Sequence, residues 1–212
     1  MFRSANEIYN IVRKAFISLG IDHACADDLG NVTVLLNFYG IDGIKEAYKA
    51  TKTINLKKNI SYNRLTNNSV EFKISRACFE GISAIDLLLC RKKEFEIIKF
   101  ENLDLPQFFL GILAWNCMVH NCTFEVSFYS PKLNKIKIDK NLSEMESNFY
   151  IPKNFSLIKK QKCKLDNFSN FSHSKVNLNA WKKLEEMAFR TYVPDSNRSR
   201  ELGAGARIID ED

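Results

Sequence analysis

The sequence predicts an α+β fold, and three observations predict it. Apolar residues recur at helical spacing through the first ~50 residues, switch to strand alternation between 69 and 165, and return to helical spacing near 177. The expected architecture is an N-terminal helical unit over 1–53, then a mainly antiparallel sheet packed on a long central helix within 69–165, then a C-terminal helix over 177–190. Residues 1–192 would form a single domain and 193–212 an Arg/Gly/Ala tail. A hydrophobic fraction of 45% is enough apolar side chain to build one sizeable core.

The first helix opens with a capping box. Ser4 can accept from the amide of Glu7 while Glu7 reaches back. Ile8, Ile11, Val12, Ala15 and Leu19 then form an apolar stripe, and Gly20 supplies a left-handed stop. A second helix runs from about Asp22 to Tyr39, with Cys25, Leu29, Val32 and Leu36 on one face and Gly40 ending it. A third begins at Asp42 and carries Ile44, Ala47 and Tyr48 inward. The period then changes. "SVEFKI" (Ser69–Ile74) alternates as a strand, "ISAIDLLLC" reads as a short buried helix and "EFEIIKFE" as another strand. Asp104 is placed to cap "LPQFFLGILAWNCMVHN", with Pro106 in its first turn. That helix is apolar on most sides and so is expected at the centre. "CTFEVSFYS", with Phe124, Val126 and Phe128 facing one way, "NKIKIDK", "SNFYI" and "SLIKKQKCKL" follow as strands with polar alternates, which favours an antiparallel meander with one wet face. "FSNFSHS" reads as a polar loop. The last helix, Asn177–Phe189, gathers Leu178, Trp181, Leu184 and Ala188 on one face, and Pro194 is expected to end it.

Composition narrows the function classes. Glu7 and Arg13 interrupt what would be the apolar part of a leader, and no stretch reaches the roughly 18–20 apolar residues of a membrane span. A cytoplasmic location is expected. The six cysteines, Cys25, Cys78, Cys90, Cys117, Cys122 and Cys163, lie scattered among apolar neighbours and read as buried thiols. The net charge of +6 comes from lysines dispersed along a chain also rich in Asn, Ile and Phe, so it reads as a solvated surface. Phe149, Tyr150 and Phe155 interleave with lysines, as a single-strand stacking surface would, but the same lysines serve as wet-face alternates of a strand. Nucleic acid is therefore not an expected partner.

Few residues group into a chemical motif. Cys117, His120 and Cys122 lack the second ligand pair that zinc needs, so no metal is expected. His23 stands four residues before Asp27 on a helix, a spacing that allows a surface pair. "GAGAR" contains a G-x-G, but no helix can follow it to hold a phosphate, and no dinucleotide or Walker loop occurs elsewhere. The tail departs from the chain's own habits. Arg190, Arg198, Arg200 and Arg207 crowd into a protein that otherwise uses lysine, beside Gly203-Ala204-Gly205-Ala206 and the acidic Asp210-Glu211-Asp212. Arginine is not replaceable by lysine where a planar fork must meet a carboxylate or phosphate. Tyr192, Val193, Leu202, Ile208 and Ile209 add apolar anchors, so an ordered or partner-ordered tail is expected.

That tail, Arg190 to Pro194, Ser196, Ser199-Arg200, Gly203 to Ala206 and the acidic end, resembles the closing signature of an uncharacterised bacterial protein family of about this length. The opening "SANEIYNIVRKAFISLGI" and the helix after "LDLP" resemble the same family, which implies no established activity. The N-terminal helices through "NFYGIDG" are also similar to those of the malate/L-lactate dehydrogenase family that lacks a Rossmann fold. That family carries a G-x-D-S-H-G pattern with a catalytic histidine, where this chain has Gly40-Ile41-Asp42-Gly43-Ile44.

The leading functional expectation is a non-catalytic or accessory protein that binds a protein partner, or a second copy of itself, through the tail. Arg190, Tyr192, Arg198, Arg200, Gly203 and Gly205 would make the contacts. The alternative is a small-molecule enzyme or a binder of an anionic metabolite, with nicotinamide-linked oxidoreduction the chemistry the second resemblance implies. Arg190, Arg198 and Arg200 would then clamp the anion, and Asp42 or His23 would supply acid/base chemistry. No cofactor and no membrane contact are expected.

Overall fold

The computed structural model describes residues 1–54, 64–66, 69–72, 76–90, 97–128, 135–138, 153–160 and 173–191. The fold is α+β, as the period changes predict. Helices α1 (Ala5–Ser18), α2 (His23–Phe38) and α3 (Gly43–Ile54) open the chain. The capping box forms: the Glu7 amide donates to Ser4 Oγ at 3.2 Å and the Ser4 amide donates to Glu7 Oε2 at 2.9 Å. Ile8, Val12, Ala15 and Phe16 are the buried stripe of α1. Asp22 caps α2, accepting from the Cys25 amide.

The expectation of a single apolar face on α2 needs correction. Its buried set is Ala26, Leu29, Gly30, Val32, Thr33, Leu35, Leu36 and Asn37, which spans most of the helix surface, while Cys25 is only partly buried. The cause is its position: α1 and α3 pack on α2, and so does α5 (Pro106–His120), a helix apolar nearly all round. A Cβ at Gly111 would lie 2.7 Å from Leu36 Cγ, so α2 and α5 meet too closely there for any larger residue. Asp104 does not cap α5. Pro106 at the first helical position removes one donor that would need a cap, and the residue before it, Leu105, is left-handed (φ 46°). Asp104 Oδ1 instead accepts from the Ala77 amide at 2.7 Å, where a π-helical turn (Ala77–Gly81) leads into α4 (Ile82–Cys90).

The main sheet combines β2 (Arg64–Thr66), β3 (Ser69–Phe72), β4 (Ile97–Phe100), β5 (Thr123–Phe128), β6 (Lys135–Ile138) and β7 (Phe155–Lys160), in the order β2-β3-β4-β7-β5-β6. It is mainly antiparallel, but it is not the expected meander. β3 and β4 are parallel, because α4 carries the chain back over the sheet between them. β7 inserts between β4 and β5, setting Phe155 opposite Phe100 and Leu157 between Ile98 and Val126. These residues, with Phe124, make the buried face. Phe100, Phe109 and Phe155 form a ring cluster with centroids 5.0–5.8 Å apart that seats the sheet on α5. The opposite face is wet, as expected, and carries the Glu71–Lys99 pair at 2.9 Å. The proposed strand "SNFYI" lies outside the described residues.

A second, two-stranded sheet joins β1 (Phe2–Ser4) antiparallel to β8 (His173–Lys175). The end of the expected "FSNFSHS" loop is thus a strand, ordered by pairing with the chain's own beginning. Asn177 caps α6 (Leu178–Ala188) through the Ala180 amide at 3.0 Å. Trp181, Leu184 and Ala188 face inward, but Leu178, the first residue of the helix, is 46% exposed, while Val176 is buried. α6 stops at Ala188 and a 3₁₀ turn (Phe189–Thr191) follows; Pro194 lies outside the described residues. Cys78, Cys117 and Cys122 are buried as expected, whereas Cys90, at the last position of α4, is exposed. Cys163 lies outside the described residues. No described helix is long and apolar enough to cross a membrane.

Candidate functional site

Helix α2 separates the two acid/base candidates. His23 is its first residue and Asp42 follows its C-terminus, so its 16 residues hold them about 24 Å apart. They cannot serve one site.

At the His23 end, Asp27 Oδ1 accepts from Arg13 Nε and from the Tyr9 hydroxyl, the latter at 3.1 Å. Arg13 Nη2 lies 3.2 Å from His23 Nδ1. A guanidinium only donates, so His23 Nδ1 is the acceptor in this contact. The direct His23–Asp27 pair that the spacing allows is thus replaced by an Arg13 bridge, because Arg13 of α1 reaches between them. Hydrogen bonding from Arg13 holds Asp27 below the usual carboxylate range, and burial followed by Asp27 pushes Tyr9 up. These bonds lock α1 to α2. Nearby, burial, with Asp22, Asp28 and Asp86 around it, pushes the Cys25 thiol to about 11, so at neutral pH it is a protonated thiol and a poor nucleophile.

The Asp42 end is open. A cleft of about 650 Å³ lies between the C-terminus of α2, the α2–α3 turn, β8 and the cap of α6. That volume falls within the usual range of small-molecule sites. The sequence builds it locally. Gly40 takes the left-handed φ of +77° that ends α2. A Cβ at Gly43 would stand 2.5 Å from the Thr33 carbonyl oxygen, so only glycine lets α3 begin pressed against α2. Asn37, 8% exposed, fixes the turn: its Oδ1 accepts from the Gly43 amide at 3.1 Å and its Nδ2 donates to the Thr33 carbonyl at 3.2 Å. Asp42 Oδ1 accepts from the Lys45 amide at 3.0 Å, capping α3. The Gly-Ile-Asp-Gly stretch therefore has a structural explanation at each polar or glycine position.

Across the cleft, strand alternation puts His173 and Lys175 on one face of β8, both exposed, and Phe38 completes the lining with 43% of its surface exposed. A carboxylate, an imidazole and an ammonium group thus border one concave space. The chemistry they can perform is recognition of a polar ligand and proton transfer to it.

The structure does not bring the other candidates here. Arg190 sits in the 3₁₀ turn beyond the C-terminus of α6, whereas the cleft meets the N-terminus of that 11-residue helix, about 16 Å away along the axis. Tyr192, Arg198, Arg200, Gly203 and Gly205 lie outside the described residues. Among the described residues no group of three His, Cys, Asp or Glu side chains could hold a metal ion, and His120 is exposed while Cys117 and Cys122 are buried. His173 and Lys175 were missed by sequence reasoning. The alternation His-Ser-Lys before the Asn177 cap was the available signal, but its partner strand is three residues long and starts at Phe2.

Residues 3–101 match a family described as "Protein of unknown function (DUF3726)", a span that includes α1 to β4 and the Asp42 turn but not β8. No curated protein and no solved structure matches the chain. Over its first half, then, the chain is similar to an uncharacterised family that brings no activity with it.

Proposed function

We propose that this chain binds a small polar molecule in the cleft bordered by Asp42, His173 and Lys175. The observation that carries the reading is convergence. Asp42 comes from the α2–α3 turn and the two basic residues from β8, far apart in sequence, yet all three line one cleft of ligand size. The test is a thermal-shift panel of small organic acids, bases and nucleotides on the wild type and on Asp42→Asn and His173→Gln. Asn caps a helix as well as Asp does, so Asp42→Asn removes the charge and keeps the fold. A compound that raises the wild-type midpoint is expected to lose at least half of that shift in one variant. Equal shifts in all three proteins would reject the cleft as the site.

A second reading is a partner or self-association surface that includes the tail. It is supported by the exposure of Phe189 (65%), which opens the turn leading into residues 192–212, and of Phe2 (71%). Deleting residues 193–212 and measuring mass by light scattering tests it. Loss of assembly is expected; an unchanged mass and an unchanged set of bound proteins would reject it.

A further inference from the structure

The cleft's lining also points to the class of its ligand, an inference that rests on the small-molecule reading above. Its charges are not equally available. The Asp42 carboxylate has one oxygen, Oδ1, engaged by the Lys45 amide, and the side chain is only partly exposed. His173 and Lys175 both stand exposed where β8 borders the cleft. Lys175 is a donor of fixed sign, and His173 offers an N–H donor even when neutral. The two exposed titratable side chains of the lining are thus both donors, against one partly exposed and partly engaged carboxylate, a balance that favours an anion. Asn37, Ser174 and Asn177 add polar groups to the lining, with Asn37 Oδ1 and Asn177 Oδ1 already taken by the Gly43 and Ala180 amides. Phe38 is braced edge-on by Tyr39 with centroids 5.2 Å apart at 80°, and the half-buried Ile41 contributes aliphatic surface. An exposed aromatic ring beside Ile41 suits a flat, apolar group.

We infer that the ligand is a small aromatic anion, with its ring against Phe38 and its carboxylate or phosphate on Lys175 and His173. Recognition by charge-assisted hydrogen bonds at one end and ring packing at the other requires both features in one molecule.

The experiment is calorimetric titration of the full chain with benzoate, phenyl phosphate, acetate, inorganic phosphate, benzylamine and benzyl alcohol. Benzoate or phenyl phosphate is expected to bind, and acetate and inorganic phosphate to bind at least about tenfold more weakly. Lys175→Gln should weaken the aromatic anion by about tenfold, and Phe38→Leu should remove the preference for the ring. Lys183→Gln, an exposed lysine of α6 outside the cleft, controls for overall charge and should change nothing. Preferential binding of benzylamine or benzyl alcohol, with sensitivity to Asp42→Asn, would overturn the anion assignment and leave the small-molecule reading standing. Inorganic phosphate binding as tightly as phenyl phosphate would overturn the aromatic part. Binding of none of the six, together with a silent thermal-shift panel, would overturn both.

Discussion

The two ends of α2 carry titratable side chains in opposite conditions. At its N-terminus, side chains bond to side chains: Tyr9 and Arg13 of α1 close on Asp27, and Arg13 also meets His23. At its C-terminus, side chains bond to backbone. Asn37 spans Thr33 and Gly43, and Asp42 caps Lys45. The first arrangement consumes charge to fix two helices. The second fixes a turn and leaves the nearby His173 and Lys175 exposed beside a cleft. The lesson is that sequence proximity of an acid and a base, as in His23 and Asp27, marks a lock, whereas the cleft joins residues more than 100 positions apart.

The comparison can be broken most forcefully at Gly43. Alanine there would place a methyl group 2.5 Å from the Thr33 carbonyl oxygen and 3.0 Å from Leu36 Cβ, so α3 must move off α2. The expected cost is about 1–3 kcal/mol, read from the denaturant midpoint. Because the same shift deforms the turn that carries Asp42, ligand binding should fall with it. Wild-type stability in this variant would show that the close approach is not needed.

A smaller effect sharpens the role of Asp42. Asp42→Ala should destabilise by about 1 kcal/mol, the usual value of a lost helix cap, while Asp42→Asn should be close to neutral. If both variants lose the same stability, the carboxylate stabilises through its charge and not through the Lys45 amide.

What the sequence made legible follows from which forces are local. The Ser4–Glu7 box, the Asp22 cap, the glycine stops at Gly20 and Gly40, and the stripes Ile8-Val12-Ala15 and Trp181-Leu184-Ala188 all depend on residues within a turn or two, and all appear. Phe124 and Val126 share the inner face because strand alternation is likewise local. Pairing partners are not local. Nothing near Phe155 says that it will stand opposite Phe100 and Phe128, and nothing near His173 says that Ser4 will order it. Asp104 illustrates the same limit at smaller scale: its position before Pro106 suggested a cap, but its partner, Ala77, comes from another segment. Half of the candidate site, the Asp42 turn, was therefore readable as a helix start; the His173/Lys175 half depended on a pairing that spans the chain.

The subtlest test concerns the locked end. Asp27 has a folded-state pKa below its unfolded value, first because Arg13 donates to it and then because Tyr9 does. A depressed carboxylate contributes stability that is complete above its unfolded pKa, about 3.9, and that is lost as pH falls through the folded value. The wild type should therefore hold its urea midpoint from pH 7 to about pH 5 and lose it below about pH 4. In Asp27→Asn this part of the acid sensitivity disappears, so its curve should be lower at neutral pH and flatter in acid. The pair is partly exposed, with side chains 27% and 42% accessible, so the difference should be small and should shrink further in salt. Parallel acid limbs in the two proteins would mean that Arg13 and Asp27 do not act as a lock, and the contrast between the ends of α2 would then rest on the cleft alone.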